Sequence, residues 1–153
     1  MAMTLEQVRA ALEAIEPDYP ALARLGADAF PHLQTLARDP DPLLASKAVY
    51  LAGMIRDARS AEVVRTGAQS PDPRVRIAAA SAARNLPAAE ASAVLTTLVG
   101  DADLGVRKTV LKSVPADASA DLRARVQAAA RREPEAALRQ LGDEALRRMR
   151  PQE

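Results

Sequence analysis

A 31-residue repeat is the feature that most constrains the fold of this chain. Asp41, Asp72 and Asp103 are separated by equal intervals of 31 residues. The same interval relates the small or aliphatic residues seven positions downstream, which are Ala48, Ala79 and Val110. A fixed period between about 20 and 50 residues indicates a solenoid, in which each unit buries its apolar face against its neighbours. The sequence therefore predicts stacked repeats.

Each repeat carries the pattern of two helices. Apolar residues recur at three- and four-residue spacing, and no stretch alternates as a half-buried strand would. Asp41-Pro42 and Asp72-Pro73 are typical of helix starts. The Asp side chain accepts hydrogen bonds from the free backbone N–H groups of the first turn, and Pro is tolerated at the first helical position because an N–H there would have no partner within the helix. In the last repeat, Pro134 falls in the column that should hold Asp. Before the repeats, residues 4–16 are predicted as an amphipathic helix whose apolar positions extend to Ile15.

Segments 25–33, 36–42 and 72–80 resemble HEAT repeats, most closely the short bacterial form that is also found in the phycobilisome-lyase-like group. The resemblance covers about residues 20–114 and is carried by Asp-Pro-x-Val-Arg followed by an alanine-rich helix. It implies an all-α, right-handed α-α superhelix, a HEAT-like solenoid of about five helix pairs. It does not select a function, because such repeats serve as scaffolds, adaptors, bilin lyases and DNA-repair enzymes.

One domain is predicted over residues 1–153. It consists of an N-terminal cap pair at 1–27, three regular repeats at 28–114 and a C-terminal cap pair at 115–150. The resemblance further implies that the motif Asp and Arg link neighbouring repeats in a ladder. The residues in this structural role are Asp41, Asp72, Asp103, Arg76 and Arg107. In the first regular repeat Ala45 stands where Arg would be, so that rung is absent.

Composition argues against several classes of function. The net charge is +1 and there is no cysteine, which excludes disulfides, thiolate metal sites and cysteine nucleophiles. His32 is the only histidine, so we predict no catalytic residues, no metal and no cofactor, and hence no enzyme. The start of the chain lacks a signal-peptide pattern and no apolar run is long enough for a membrane helix, so we expect a cytoplasmic protein without a membrane partner.

One helix face is predicted to bind a partner. In this architecture the second helices line the concave side, and their outward columns contain no acidic residue. A basic face with an apolar floor suits an acidic amphipathic helix or an acidic peptide. The predicted partner-binding residues are Lys47, Tyr50, Met54, Arg74, Ile77, Ser81, Lys108 and Lys112. The competing interpretation is that the lysines only aid solubility while Tyr50 and Ile77 pack against neighbouring helices.

The function most favoured by the sequence is a non-catalytic scaffold or adaptor for another protein. The first alternative is a nucleic-acid binder that uses the basic face together with the Arg-rich C-terminal pair, although aromatic residues for base stacking make up only 2% of the chain. The second is a lyase-like or chaperone-like protein for a pigment or cofactor, since tetrapyrrole pockets are in part aliphatic. The arginines of the C-terminal pair are Arg123, Arg125, Arg131, Arg132, Arg139, Arg147, Arg148 and Arg150.

Overall fold

Ten α-helices make up most of the computed structural model, which describes residues 3–151. None of these residues lies in a β-strand, and predictions for residues 1–2 and 152–153 fall outside the described part. Short 3-10 segments cover Gly26–Ala29 and Ala83–Asn85. The α-helices are α1 (Leu5–Glu13), α2 (Tyr19–Ala23), α3 (Phe30–Leu36), α4 (Pro42–Met54), α5 (Ser60–Ala68), α6 (Pro73–Ala82), α7 (Ala88–Leu98), α8 (Leu104–Ser113), α9 (Ala120–Arg132) and α10 (Ala136–Arg148).

The helices form two stacked rows. The first helices of the pairs follow one another as α1, α3, α5, α7 and α9, and the second helices as α2, α4, α6, α8 and α10. Every helix packs against its partner within the pair or against the next member of its row, as expected when each repeat contacts only its neighbours. The predicted all-α solenoid of five helix pairs is confirmed.

The helix starts follow from the capping residues of the repeat. Asp41, Asp72 and Asp103 each accept a backbone N–H of the first turn of their own helix at 2.9 Å. In the last pair the N-cap residue of α10 is Glu135, one residue after the column position at Pro134, and its side chain makes no capping hydrogen bond. The final repeat is therefore one residue longer than the others, which explains why the period is lost in the sequence.

The core is built from small side chains that let the second helices approach closely. A Cβ at Gly53 of α4 would lie 2.8 Å from the Cβ and 3.0 Å from the carbonyl oxygen of Ala82 in α6. Positions 3, 7, 10 and 11 residues after each capping Asp are buried in all three repeats. Because these buried positions occupy one side of each second helix, the predicted partner-binding columns are left on the opposite side.

Arginine side chains bridge neighbouring pairs. Arg76 Nε and Nη2 donate to the carboxylate of Asp101 at 2.9 and 3.1 Å. Arg107 makes the same fork with Glu133 at 3.1 and 3.3 Å. Burial alone would raise the pKa of Asp101, but hydrogen bonds from Arg76 and from a backbone N–H outweigh burial, and the pKa is lowered. The pKa of Glu133 is lowered in the same way by hydrogen bonds from Arg107 and a backbone N–H.

The structure corrects the acidic side of this ladder. The carboxylates that accept the bridging hydrogen bonds lie two residues before the capping positions, at Asp101 and Glu133. Asp41, Asp72 and Asp103 instead use their side chains to cap their own helices. The capping aspartates do not form the bridges because each capping carboxylate points toward the N-terminus of its own helix and away from the preceding repeat.

Candidate protein-interaction face

The eight predicted partner-binding residues lie on three consecutive second helices, and none of them is buried. We call this set the second-helix face. Residues 47, 50 and 54 belong to α4, residues 74, 77 and 81 to α6, and residues 108 and 112 to α8. Because α4 packs on α6 and α6 on α8, the three groups form one continuous surface. Its role in binding remains a prediction.

The α4 end of the face is mostly apolar. The ring of Tyr50 meets the ring of Tyr19 edge-on with centroids 4.9 Å apart, and the Tyr50 side chain remains partly exposed. Leu43 is 58% exposed, two turns before Tyr50 on the same helix. The Nζ of Lys47 donates to the backbone carbonyl of Ala14 at 2.8 Å. The ammonium group of Lys47 therefore has an internal partner.

Ile15 extends this apolar end, which the sequence did not indicate. Its spacing from Leu12 places it on the apolar side of a continuous helix, but α1 ends at Glu13. Beyond that point the chain leaves the helical register, and the Ile15 side chain is 96% exposed next to the carbonyl that binds Lys47. A signal was present in Pro17, because Pro disfavours helical conformation in the residue before it.

The α6 part of the face is largely engaged in contacts within the chain. Arg74 Nε and Nη2 donate to the carboxylate of Asp72 at 3.1 and 2.9 Å. The hydrogen bond from the Arg74 side chain lowers the pKa of Asp72. Ile77 is half-buried against α8, where a Cβ on Gly105 would approach its Cδ1 to 3.0 Å. The competing interpretation of Ile77 as a packing residue therefore has support.

The α8 end carries free positive charge. Lys108 and Lys112 are exposed, and neither makes a hydrogen bond or ion pair with any residue from 3 to 151. All three lysines of the chain belong to the second-helix face, while every other basic residue except His32 is arginine. Since Lys47 is bound to Ala14, Lys108 and Lys112 are the lysines whose charge faces solvent without a protein partner in the described chain.

The Arg-rich C-terminal pair is more self-contained. Arg125 pairs with Asp121 at 3.2 Å and Arg150 with Asp117 at 2.8 Å. Arg148 donates to the carbonyl of Leu111 across the joint to α8. Further intramolecular hydrogen bonds to backbone carbonyls are made by Arg123 and Arg139. Among residues 3–151, Arg131 and Arg132 are exposed arginines of this pair without such a partner.

The single histidine is engaged by the backbone, and the described residues contain no grouped metal ligands. Nε2 of His32 lies 2.6 Å from the carbonyl oxygen of Met3, so the histidine side chain is held by the N-terminal backbone. Between residues 3 and 151, no three His, Cys, Asp or Glu side chains are grouped so as to hold a metal ion. Across the same range, the helices are too short or too polar to cross a membrane.

These features define a helical-repeat protein with an open, partly apolar and partly basic face. The family model for HEAT repeats matches residues 30–114, more than half of the chain, and the chain therefore belongs to the HEAT repeat family. This confirms the resemblance seen in the sequence.

Among solved structures, the fold is similar to a chain in the complex of CpcE and CpcF of phycocyanin lyase from Nostoc sp. PCC7120. The TM-score is 0.73 at 22% sequence identity, over 92% of this chain and 96% of that chain. At this identity the likeness establishes the fold. No curated protein matches the sequence.

Proposed function

We propose that this protein is a non-catalytic interaction module that binds another protein through the second-helix face. The observation that carries the proposal is the pairing of an exposed apolar end, at Leu43 and Tyr50, with the unpartnered ammonium groups of Lys108 and Lys112. No acidic residue interrupts this face. Exposed apolar area beside uncompensated charge of one sign is typical of a surface that a complementary partner covers.

The dimensions suggest the kind of partner. Neighbouring helices pack about 8–10 Å apart, so the surface from α4 to α8 extends about 16–20 Å. A helix of about 11–13 residues covers that length at 1.5 Å per residue. The proposed partner segment is therefore a short amphipathic helix that lies across the second helices. Its apolar residues would face Leu43 and Tyr50, and its acidic end would meet Lys108 and Lys112.

A matched pair of charge reversals tests this proposal. Lys108→Glu/Lys112→Glu changes the second-helix face, and Arg131→Glu/Arg132→Glu makes the same charge change on the C-terminal pair. Both variants alter exposed side chains, so we expect the melting temperature to stay near that of the wild type. Partner protein captured from the source lysate should be lost with the lysine variant and retained with the arginine variant.

Loss of capture with the arginine variant and retention with the lysine variant would instead indicate that the C-terminal pair is the binding surface. If both variants capture the partner as the wild type does, the second-helix face is not the binding surface. Capture of nucleic acid with a steep loss of affinity on adding salt would support the nucleic-acid alternative, because phosphate contacts release counterions.

A lyase-like or chaperone-like role is the second candidate. It is supported by the likeness to a chain of a phycocyanin lyase complex, which covers nearly the full length of both chains. That neighbour is described in complex with a second protein, so both candidates involve a protein partner. A titration of the purified protein with a free bilin separates them. Saturable change in the bilin absorbance spectrum favours the lyase-like role, and an unchanged spectrum favours the adaptor.

A further inference from the structure

The joint between the α3/α4 pair and the α5/α6 pair lacks the bridge found at the neighbouring joints. Ala45 occupies the position of Arg76 and Arg107, four residues after the capping Asp. Ser70 occupies the position of the accepting carboxylate, which is Asp101 in the next repeat. Both halves of the bridge are thus missing together at this one joint.

In the three following repeats, the arginine four residues after the N-cap position of the second helix also satisfies two backbone carbonyls of its own repeat. The Nη1 group donates to the two residues that begin the loop before the second helix. These bonds run from Arg76 to Ser70 and Pro71 at 3.0 and 3.0 Å, from Arg107 to Asp101 and Ala102 at 3.0 and 3.1 Å, and from Arg139 to Glu133 and Pro134 at 2.8 and 2.9 Å.

The equivalent carbonyls before α4 belong to Asp39 and Pro40, and no residue from 3 to 151 donates a hydrogen bond to them. A groove of about 620 Å³ opens at this point, with Ala45 and Val75 among its lining residues. Ser70 lies on the opposite wall, where its Oγ accepts the backbone N–H of Asp72 at 3.2 Å. A hydroxyl oxygen has a second lone pair, so Ser70 retains capacity for a further donor.

The groove also favours a cation with an apolar stem. Its two lining carboxylates are already paired, Asp39 with Arg9 at 2.7 Å and Asp72 with Arg74 at 2.9 Å. The attraction for a cationic donor therefore comes from the carbonyl oxygens of Asp39 and Pro40, which accept no hydrogen bond from residues 3–151. Proline rings form much of the remaining wall, together with Ala45 and Val75. Arginine combines methylene groups that pack on apolar surface with a planar fork of donors, whereas lysine presents a single ammonium group.

We propose that this groove receives an arginine side chain from a partner protein, which takes the place of the arginine that Ala45 lacks. The guanidinium donates to the carbonyl oxygens of Asp39 and Pro40 and to Oγ of Ser70. The site is formed by the loops between the first and second helices and is separate from the second-helix face. It would therefore add a second point of contact for a partner that wraps around the loop edge.

A blocked arginine, N-acetyl-arginine N-methylamide, serves as the probe. In a ¹H–¹⁵N NMR titration, we expect saturable shifts at the backbone amides of Asp41, Ala45 and Asp72 in the millimolar range. The neutral citrulline analogue should bind several-fold more weakly, because hydrogen bonds from a charged donor are about twice as strong as neutral ones. Absence of saturable shifts, or equal binding of the citrulline or lysine analogue, would overturn the proposal.

Variants of the two missing positions sharpen the test. Ser70→Asp restores the carboxylate found at Asp101 and should tighten binding of the arginine probe several-fold. Ala45→Arg supplies the arginine from within the chain and should abolish the shifts, while Ala89→Arg, at an exposed site on α7, should leave them unchanged. If Ala45→Arg does not fold, the Ser70→Asp result alone decides. An unchanged affinity in Ser70→Asp, or retained binding in Ala45→Arg, would contradict the proposed site.

Discussion

The bridge between Arg76 and Asp101 should contribute measurably to stability, and Arg76→Ala removes it. The Arg76 side chain is 18% exposed and that of Asp101 is 11% exposed, so the pair is neither a surface ion pair nor a fully buried one. Arg76 donates two hydrogen bonds to Asp101 and two to loop carbonyls. The substitution thus breaks a contact between repeats and a contact within a loop.

The expected loss lies between two limits. Exposed ion pairs contribute about 0–1 kcal/mol, and breaking a buried pair costs about 3–5 kcal/mol. Water can reach the loop carbonyls once the arginine is removed, so their loss adds little. We expect Arg76→Ala to lower the free energy of unfolding by about 2 kcal/mol, which corresponds to a melting temperature lower by about 4–8 °C for a chain of this size.

Arg74→Ala is the matched control, since it removes an arginine from the same helix. The Arg74 side chain is 66% exposed and pairs only with the capping Asp72 of its own repeat. Thermal unfolding followed by circular dichroism at the helical minimum measures both variants. A melting temperature of Arg76→Ala equal to that of Arg74→Ala would refute the claim that bridges between repeats stabilise this solenoid.

Two further predictions concern acid and packing. The pKa values of Asp101 and Glu133 are lowered in the folded protein, so their contribution is present at neutral pH and is lost as the pH falls below about 4. Urea unfolding at pH 7 and pH 3 should show this loss in the free energy of unfolding, and Arg76→Ala should lose less between the two pH values than the wild type. An equal loss in both proteins would contradict the role of the Arg76–Asp101 pair in acid sensitivity. Gly53→Ala should destabilise the protein by about 1–2 kcal/mol, because the added Cβ would meet Ala82, including its backbone. Gly100→Ala is the control: a Cβ there has no atom within 4 Å, so the urea midpoint should change little. Equal midpoints would refute the close α4–α6 contact.

The repeat architecture was predictable because its signals are local. The Asp-Pro pairs at residues 41 and 72 cap the helices that follow them, and the buried columns recur at fixed spacing from those aspartates. A period of 31 residues then places equivalent helices side by side without further information. Only the last repeat departs from the 31-residue period, because one additional residue shifts the N-cap position of its second helix from Pro134 to Glu135.

The bridges and the apolar end of the face depend on contacts between repeats, which one sequence does not reveal. Ser70 interrupts the column of accepting carboxylates, so Asp101 did not stand out as a bridging residue. The sequence predicts Lys47 as a free cation, because nothing local indicates that the carbonyl of Ala14 lies beside its ammonium group. Lys108 and Lys112 were placed correctly on the surface because their environment follows from helix periodicity alone.

Zero-length cross-linking of the complex tests the central claim most directly. A carbodiimide joins a lysine amine to a carboxylate only where the two are in contact, and all three lysines of this chain lie on the second-helix face. With the partner isolated from the source lysate, peptide mapping should find Lys108 and Lys112 joined to acidic residues of that partner. Links that instead join carboxylates of this chain to lysines of the partner, with both lysines unmodified, would contradict binding through the second-helix face.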